Sequence, residues 1–260
     1  MNLHRPDAAL REATFVARDN RFRVTVELDG KHVWAYLPNS GRLEELLTPG
    51  RRLFLRPATA PGRKTAYDLL LVDLDGVLVS TDAHLPNCLM EEALREGRLP
   101  PFKGYETVRR EVQRGGSRLD FALEGKGQRC LIEVKSVTLV RGGLALFPDA
   151  PTVRGRRHAE ELRQAVAAGE RAAIVFVVQR EDADAFAPND GTDLAFGRAL
   201  RRAAGEGVEV YAYACRVSLG GVRLSHPLQV RLATSNALDG APANKSDRGT
   251  EDRPVRVRAV

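Results

Sequence analysis

Short apolar runs that alternate with polar residues dominate about the first 85 residues, as expected for half-buried β-strands. Six such runs predict six strands, namely ATFVA, FRVTVEL, HVWAYLP, RRLFLRP, YDLLLVDL and VLVS. Asp29-Gly30 and Asp75-Gly76 each lie between two runs and predict tight hairpins. NSGRLEELL (39–47) predicts one short helix, capped by Asn39 or Ser40. Short strands with one helix favour a small antiparallel barrel, of which the OB-fold is one form.

After the turn-forming stretch TDAHLP (81–86), the pattern mixes helices and strands. The predicted elements, in chain order, are a helix (87–97), three strands (105–113, 117–124 and 129–140), a helix (152–170), a strand (172–179), a helix (193–207) and a strand (208–217). Residues from 233 onward are polar and aperiodic, which predicts a disordered tail. We therefore expect an α/β protein, α+β overall. An OB-like barrel (1–85) would precede an α/β domain with a mixed central sheet (86–232) and a tail (233–260).

Composition and charge narrow the class of protein. No apolar run approaches the length of a membrane span, and the N-terminus lacks the apolar stretch of a signal peptide, so we expect no membrane partner. Cys88, Cys130 and Cys215 are widely spaced, which argues against a disulfide framework and a zinc site and favours the cytoplasm. A net charge of +6 permits a polyanionic partner such as DNA or RNA.

The hairpin RLDFALEGKGQRCLIEVKSVTL (118–139) carries Asp120, Glu133 and Lys135 inside apolar strands. If its turn centres on Lys126-Gly127, Asp120 lies directly opposite Glu133, with Cβ atoms ~5 Å apart. Two carboxylates that close repel each other, and a divalent cation between them would remove the repulsion. The sequence thus predicts a Mg²⁺ or Mn²⁺ site with Lys135 next to it, where its charge would assist hydrolysis of a phosphodiester by water.

Three other interpretations stay open at this point. Asp120 could pair with Arg118, and Glu133 with Lys135, on a solvated sheet face. LLLVDLDGVLV (69–79) resembles the nucleophile motif of haloacid dehalogenase-like phosphatases, although that fold requires a helix soon after Gly76. The protein could also be a non-catalytic DNA-binding regulator, since a fold alone does not determine an activity.

Asp120 and Glu133-Val134-Lys135 resemble the core motif of PD-(D/E)xK nucleases. Five stretches also resemble, in order and spacing, the sugar fermentation stimulation protein family, over about residue 10 to residue 232. They are LPNSG (37–41), NCLMEEAL (87–94), SRLDF (117–121), IEVKSVTL (132–139) and FPDAPTVRGRRHAEEL (147–162). The resemblance implies an OB-fold domain, a PD-(D/E)xK nuclease-like domain, and a nuclease or nucleic-acid-binding activity on DNA or RNA. The family name suggests that the non-catalytic alternative is a DNA-binding regulator of sugar metabolism genes.

The resemblance also implies roles for individual residues. Asp120, Glu133 and Lys135 would be catalytic, and the Val134 carbonyl would join the two carboxylates as a metal ligand. Glu92, in the helix before the sheet, is a further candidate ligand, and Glu111 is a weaker one. Residues whose charge or aromatic ring suits nucleic-acid binding are Arg21, Arg23, Trp34, Tyr36, Arg42, Arg118, Arg154, Arg156, Arg157 and His158. The alternative for the barrel is that its aromatic residues are core and its arginines solvated. A homodimer is compatible with the sequence.

Overall fold

The computed structural model describes residues 9–58, 60, 62–125 and 127–233. The predicted tail therefore lies outside the described residues, apart from residue 233, and so does Lys126 of the predicted hairpin turn.

The first part of the chain is a closed, OB-like barrel whose strands alternate buried and exposed side chains. Strand β3 closes the barrel by pairing parallel with β5, where Ala35 lies opposite Tyr67. The strands are β1 (Arg11–Asn20), β2 (Arg23–Leu28), β3 (Lys31–Tyr36), β4 (Arg52–Pro57), β5 (Tyr67–Leu74) and β6 (Val77–Ser80). All six predicted strands are confirmed, because the alternation of apolar and polar residues marks which face of each strand is buried.

Both predicted hairpins are also confirmed. Asp29 and Gly30 join β2 to β3, and Asp75 and Gly76 join β5 to β6, all four with a positive φ angle. A two-residue turn of this kind favours Asp-Gly because both central residues adopt the left-handed conformation. The antiparallel β5–β6 hairpin is incompatible with the phosphatase interpretation, which requires a parallel strand followed by a helix.

The helix predicted over 39–47 is wrong. The structure has turns there, and Leu43 has a φ of 53°, which no residue of a right-handed helix adopts. The Asn39 side chain accepts a hydrogen bond from the Gly41 amide and donates one to the Thr81 carbonyl, so it folds a loop rather than capping a helix. Leu43 and Leu46 are buried in the barrel core, and this packing determines the path of the segment.

The second part of the chain is an α/β layer built on a mixed sheet, as predicted, in the order β15-β14-β12-β9-β8-β7. The central strand β9 pairs parallel with β12 and antiparallel with β8. The strands of this sheet are β7 (Thr107–Arg114), β8 (Ser117–Gly125), β9 (Gln128–Val137), β12 (Arg171–Val178), β14 (Glu209–Ser218) and β15 (Gly221–Pro227).

A second, four-stranded sheet was not predicted from the sequence. Its strands are short, with two to four residues each, and they pair in the order β10-β11-β13-β16. They are β10 (Val140–Arg141), β11 (Leu144–Phe147), β13 (Ala185–Pro188) and β16 (Gln229–Val230). Strands this short leave no periodic pattern. Strand β14 was predicted to be the last strand, but β15 and β16 follow it in the chain.

Helices cover both faces of the mixed sheet. One face packs against α1 (Leu85–Arg95), and against Phe54 and Leu71 of the barrel; a short 3₁₀ helix (Pro100–Phe102) follows α1. The other face packs against α2 (Val153–Ala167) and α3 (Asp190–Gly205). The predicted division at residue 85 falls at the first residue of α1, and the division of the chain into two domains stays a prediction.

Helix α2 begins at Val153, at the predicted start of the helix over 152–170. The Thr152 hydroxyl caps it by accepting a hydrogen bond from the Gly155 amide at 3.0 Å. Ala159 and Leu162 are fully buried against the sheet, and Val166 is partly buried there. None of the described helices is long and apolar enough to cross a membrane.

A buried carboxylate near the start of β5 forms ion pairs with two arginines. Asp68 accepts hydrogen bonds from Arg56 at 2.9 Å and from Arg63. Burial alone would raise the pKa of Asp68, but the hydrogen bonds from Arg63 and Arg56 outweigh it and hold the pKa below its ordinary value. The ion pairs therefore keep the carboxylate charged where β5 meets β3 and β4.

We expect Asp68→Asn to lower the free energy of unfolding by about 2 kcal/mol at neutral pH, because the two guanidinium groups lose their charged acceptor. A lowered folded-state pKa stabilises the fold above the unfolded pKa of about 4, and this contribution disappears as the pH falls through the folded value. The difference between wild type and variant should therefore shrink below about pH 4, as measured by denaturant unfolding.

The matched control is Asp75→Asn, which removes an exposed ion pair with Arg51 and leaves an Asn-Gly turn. It should change the stability by less than about 0.5 kcal/mol. Equal losses for the two variants would contradict the importance of the buried pair.

Candidate active-site cleft

A cleft of about 390 Å³ lies between a barrel loop and the α/β layer. Asn39, Ser40 and Gly41 of the loop form one wall, and residues 146–152 form the opposite wall. Its remaining lining contains the predicted catalytic residues together with two arginines, namely Asp120, Glu133, Val134, Lys135, Arg21 and Arg154. The structure thus brings together the three charged residues of the hairpin and basic residues from both parts of the chain.

The hairpin has the predicted register. β8 and β9 pair from Gly125–Gln128 to Phe121–Ile132, and the ladder ends there, one pair before Asp120 and Glu133. Instead of a ladder pair, the Asp120 Oδ2 atom accepts a hydrogen bond from the Val134 amide at 2.8 Å. The two strands therefore separate at Asp120, and its carboxylate lies in the opening between them.

Helix α1 contributes Asn87, which the sequence analysis missed. The Asn87 Nδ2 atom donates a hydrogen bond to Asp120 Oδ1 at 2.8 Å, so both carboxylate oxygens have a donor. Within the motif NCLMEEAL the sequence predicts a role for the acidic residue Glu92, whereas the structure places Asn87 against Asp120. The sequence signal for this contact is the side-chain amide of Asn87 in the first turn of α1.

Glu92 and Glu111 do not line the cleft, contrary to their selection as candidate metal ligands. Glu92 follows Asn87 by five residues, about 140° around the helix, and its carboxylate pairs with Arg98 at 3.2 Å. Glu111 pairs with Arg118 at 3.4 Å, and both of these side chains are exposed. Arg118 is therefore also absent from the cleft lining.

Glu133 is the buried centre of the site, with 2% of its surface exposed. Its Oε1 atom accepts hydrogen bonds from Lys135 Nζ at 2.6 Å and from His158 Nδ1. Its Oε2 atom is buried and has no hydrogen-bond partner among the residues that the structure describes. The Glu133–Lys135 pair anticipated as a surface contact is thus real, but it lies in the interior.

His158 is 1% exposed, so its predicted contact with nucleic acid is wrong. Its Nε2 atom accepts a hydrogen bond from Arg154 Nε at 3.3 Å. This bond assigns the ring proton to Nδ1, which donates it to Glu133. The imidazole is therefore a neutral link that holds Glu133 in place behind the cleft.

The electrostatics of the two carboxylates differ. Burial of Glu133 favours a higher pKa, but the charge of Lys135 and the hydrogen bond from His158 outweigh it and hold the pKa below its ordinary value. Burial raises the pKa of Asp120, and the negative charge of Glu133 raises it further, against the opposing effect of the Val134 amide. The two carboxylates therefore repel each other across the cleft.

The donor set fits a hard divalent cation that keeps part of its water shell. Asp120 and the unpartnered Glu133 Oε2 are oxygen donors, and a cation would remove their repulsion. Within residues 9–233, as far as they are described, no group of three or more His, Cys, Asp and Glu side chains could hold a metal ion. Any cation would thus need further oxygens from a backbone carbonyl, water or phosphate.

The predicted arginines fall into two groups. Arg21 and Arg154 line the cleft. Arg156 does not line it, and its guanidinium lies 3.9 Å from the Asp193 carboxylate. Arg42 and Arg157 are exposed outside the cleft lining.

The aromatic residues Trp34 and Tyr36 of β3 lie on the outer face of the barrel, so the interpretation that they form its core is wrong. Trp34 is 51% exposed, and the Arg23 guanidinium lies 4.3 Å from the centroid of its ring. Phe22, which the sequence analysis missed, is 43% exposed and stacks on Tyr36 with a centroid distance of 6.4 Å. The sequence signal for Phe22 is its position between two arginines in the turn that joins β1 to β2.

Close contact between the barrel loop and residue 149 bridges the cleft. The Leu43 amide donates a hydrogen bond to Asp149 Oδ2 at 3.4 Å. A Cβ atom on Gly41 would lie 2.4 Å from the same oxygen, so only glycine permits this approach. Gly41 and Asp149 thus hold the two walls together.

The fold and the cleft define a class of protein in which an OB-like barrel is joined to an α/β domain with an Asp/Glu/Lys hairpin. Family models of the "SfsA N-terminal OB domain" and the "Sugar fermentation stimulation protein RE domain" match residues 16–81 and 84–221. The chain belongs to the sugar fermentation stimulation protein family.

Relatives and a solved structure agree with this assignment. The sugar fermentation stimulation protein homolog of Moorella thermoacetica is 52% identical over 227 residues, 86% of this chain and 98% of the relative. The homolog of Chloroflexus aggregans is 49% identical over 86% of each chain. The structure of Pyrococcus furiosus SfsA in complex with Ca²⁺ is similar with a TM-score of 0.82 and 32% identity, over 89% of this chain and 99% of that one.

We expect Gly41→Ala to lower the free energy of unfolding by about 1–3 kcal/mol, because its methyl group would overlap the Asp149 carboxylate. Adding Asp149→Ala should recover part of this loss, with a coupling energy of about 1 kcal/mol in a double-mutant cycle. Strictly additive effects of the two substitutions in denaturant unfolding would contradict the proposed contact. Gly50→Ala, where an added Cβ meets nothing within 4 Å but φ is positive, controls for backbone strain alone, because Asp149→Ala should not rescue it.

Proposed function

We propose that the protein is a nucleic-acid-binding, metal-dependent nuclease that hydrolyses phosphodiester bonds in the cleft. The observation that carries the proposal is the unpartnered, buried Oε2 atom of Glu133, which shares the cleft with the Asp120 carboxylate and Lys135. A structural ion pair needs no second carboxylate nearby, since like charges destabilise each other. The Ca²⁺ bound to Pyrococcus furiosus SfsA supports a divalent cation at these oxygens.

Each residue of the cleft has a proposed part in the reaction. Asp120, Glu133 and the Val134 carbonyl would hold Mg²⁺ or Mn²⁺. The cation supplies Lewis-acid stabilisation of the phosphoryl oxygens and lowers the pKa of water. His158 and Asn87 keep the two carboxylates in place through their hydrogen bonds.

The basic residues of the cleft act on the substrate. The Lys135 ammonium, next to Glu133, would neutralise the charge that develops on the phosphoryl group or orient the attacking water. Arg21 and Arg154 face the same cleft from opposite parts of the chain and would bind flanking phosphates. Free thiols at the three cysteines accord with a cytoplasmic protein.

We expect the wild-type protein to cleave labelled DNA or RNA with Mg²⁺ or Mn²⁺ and not with EDTA. Lys135→Ala and Asp120→Ala should each reduce the rate at least about 100-fold, because each removes charge stabilisation or a metal ligand. Glu124→Gln is the matched control, since Glu124 lies on the same strand as Asp120 and pairs with Arg109 outside the cleft. It should retain full activity.

The comparison uses single- and double-stranded forms of both nucleic acids, and circular dichroism checks that each variant folds. Without cleavage by the wild type under any condition, and with salt-sensitive binding that survives in both variants, the nuclease proposal would fail. The protein would then act as a non-catalytic nucleic-acid-binding regulator.

Metal binding separates the roles of the carboxylates from that of the lysine. By calorimetry with Ca²⁺, Asp120→Asn should weaken binding about tenfold or more, because it removes a charged ligand. Lys135→Ala should not weaken it, because the substitution removes a positive charge from beside Glu133. Loss of Ca²⁺ binding in a folded Lys135→Ala variant, or its persistence in Asp120→Asn, would contradict the assignment.

A further inference from the structure

The outer face of the barrel around β3 and the turn before β2 carries a cluster of aromatic rings and guanidinium groups. Two of these guanidinium groups also form ion pairs, Arg23 with Asp19 and Arg63 with Asp68. This cluster, the stacking platform, consists of Phe22, Trp34 and Tyr36 with Arg21, Arg23 and Arg63. Each ring of the platform has an arginine nearby, at 5.3 Å for Arg21 and Phe22 and 5.7 Å for Arg63 and Tyr36. Large rings left half in water indicate a binding surface, because burial against the core would otherwise be favourable.

The chemistry of the platform matches unpaired bases. A flat ring stacks on the face of a base, and this face is accessible only when the base is not already stacked in a double helix. Guanidinium groups held over the rings supply positive charge for the backbone phosphates beside those bases. The β2–β3 face of a small barrel is also a surface that can carry an extended oligomer.

The platform continues into the cleft through Arg21. Its guanidinium lies over Phe22, and the same residue lines the cleft with Asp120 and Glu133. The cleft volume of about 390 Å³ is near the lower end of the ~300–1,000 Å³ that suits one small ligand. The contact of Leu43 with Asp149 bridges it. This volume is of the order of one nucleotide with its phosphate and is much smaller than a double helix.

We infer that the substrate is single-stranded nucleic acid, whose bases stack on Trp34, Phe22 and Tyr36 while Arg21 directs the adjoining phosphate into the carboxylate cleft. The inference about cleavage rests on the proposed function. The stacking surface itself does not, because the rings of Phe22, Trp34 and Tyr36 lie outside the cleft lining. DNA and RNA share the unpaired base that the platform recognises.

Trp34 is the only tryptophan in the chain, so its fluorescence reports directly on the platform. Wild-type protein in EDTA would be titrated with oligothymidylate and oligouridylate of about 12 nucleotides, within the ~4–16 nucleotides that one barrel covers. A duplex of equal length is the comparison. We expect saturable quenching by a single strand and at least about tenfold weaker binding of the duplex.

Variants are compared by the anisotropy of a labelled single strand. Trp34→Ala and Phe22→Ala should each weaken binding about tenfold, as expected for loss of one stacking partner. Leu194→Ala removes an exposed apolar side chain on α3 and should leave binding unchanged. In cleavage assays with Mg²⁺, Trp34→Ala should raise KM for the single strand and leave kcat within about twofold.

The outcomes separate the two proposals. Quenching by single strands without cleavage would sustain the platform and overturn the nuclease. Metal-dependent cleavage that prefers duplex, with Trp34→Ala unchanged, would sustain the nuclease and overturn the single-strand inference. Absence of quenching, or equal binding of single strand and duplex, would also overturn it.

Discussion

Burial of one carboxylate, Glu133, is the constraint on which the site depends. An isolated charge in the middle of a sheet would be strongly destabilising, and Lys135 and His158 together compensate for it. His158 can donate its hydrogen bond to Glu133 because α2 packs against β9 and because the bond from Arg154 leaves the ring proton on Nδ1. The helix, the central strand and the orientation of the free carboxylate oxygen are therefore coupled, and a change in any of them would move the others.

Features that depend on local sequence were predicted well. The alternation in β2 and β3 and the Asp-Gly turns determine hairpins through interactions between neighbouring residues, and the register of β8 and β9 follows from the turn that joins them. Asp120, Glu133 and Lys135 were found because charges in apolar strands are unusual. The sequence could therefore predict the barrel, the mixed sheet and the residues at the centre of the cleft.

Features that depend on contacts distant in sequence were not predicted. The helical pattern of 39–47 is overridden by the burial of Leu43 and Leu46, and the Asn87–Asp120 bond joins residues 33 positions apart. His158 was assigned to the surface because it is surrounded by basic residues in the sequence. On a helix, however, neighbours in sequence lie on different faces, and His158 lies on the buried one. Aromatic residues in a strand are similarly ambiguous, and only the closure of the barrel shows that Trp34 lies outside.

The barrel and the α/β layer share one hydrophobic cluster, in which Phe54 and Leu71 pack beside α1 and the strands of the mixed sheet. Separating the two parts would expose this apolar surface, and the Ser80 amide would lose the Gln179 carbonyl. The barrel is consequently a poor candidate for transfer to another protein as an independent module. We therefore expect amino-acid changes on the two sides of this junction to be tolerated best in combinations that preserve its packing.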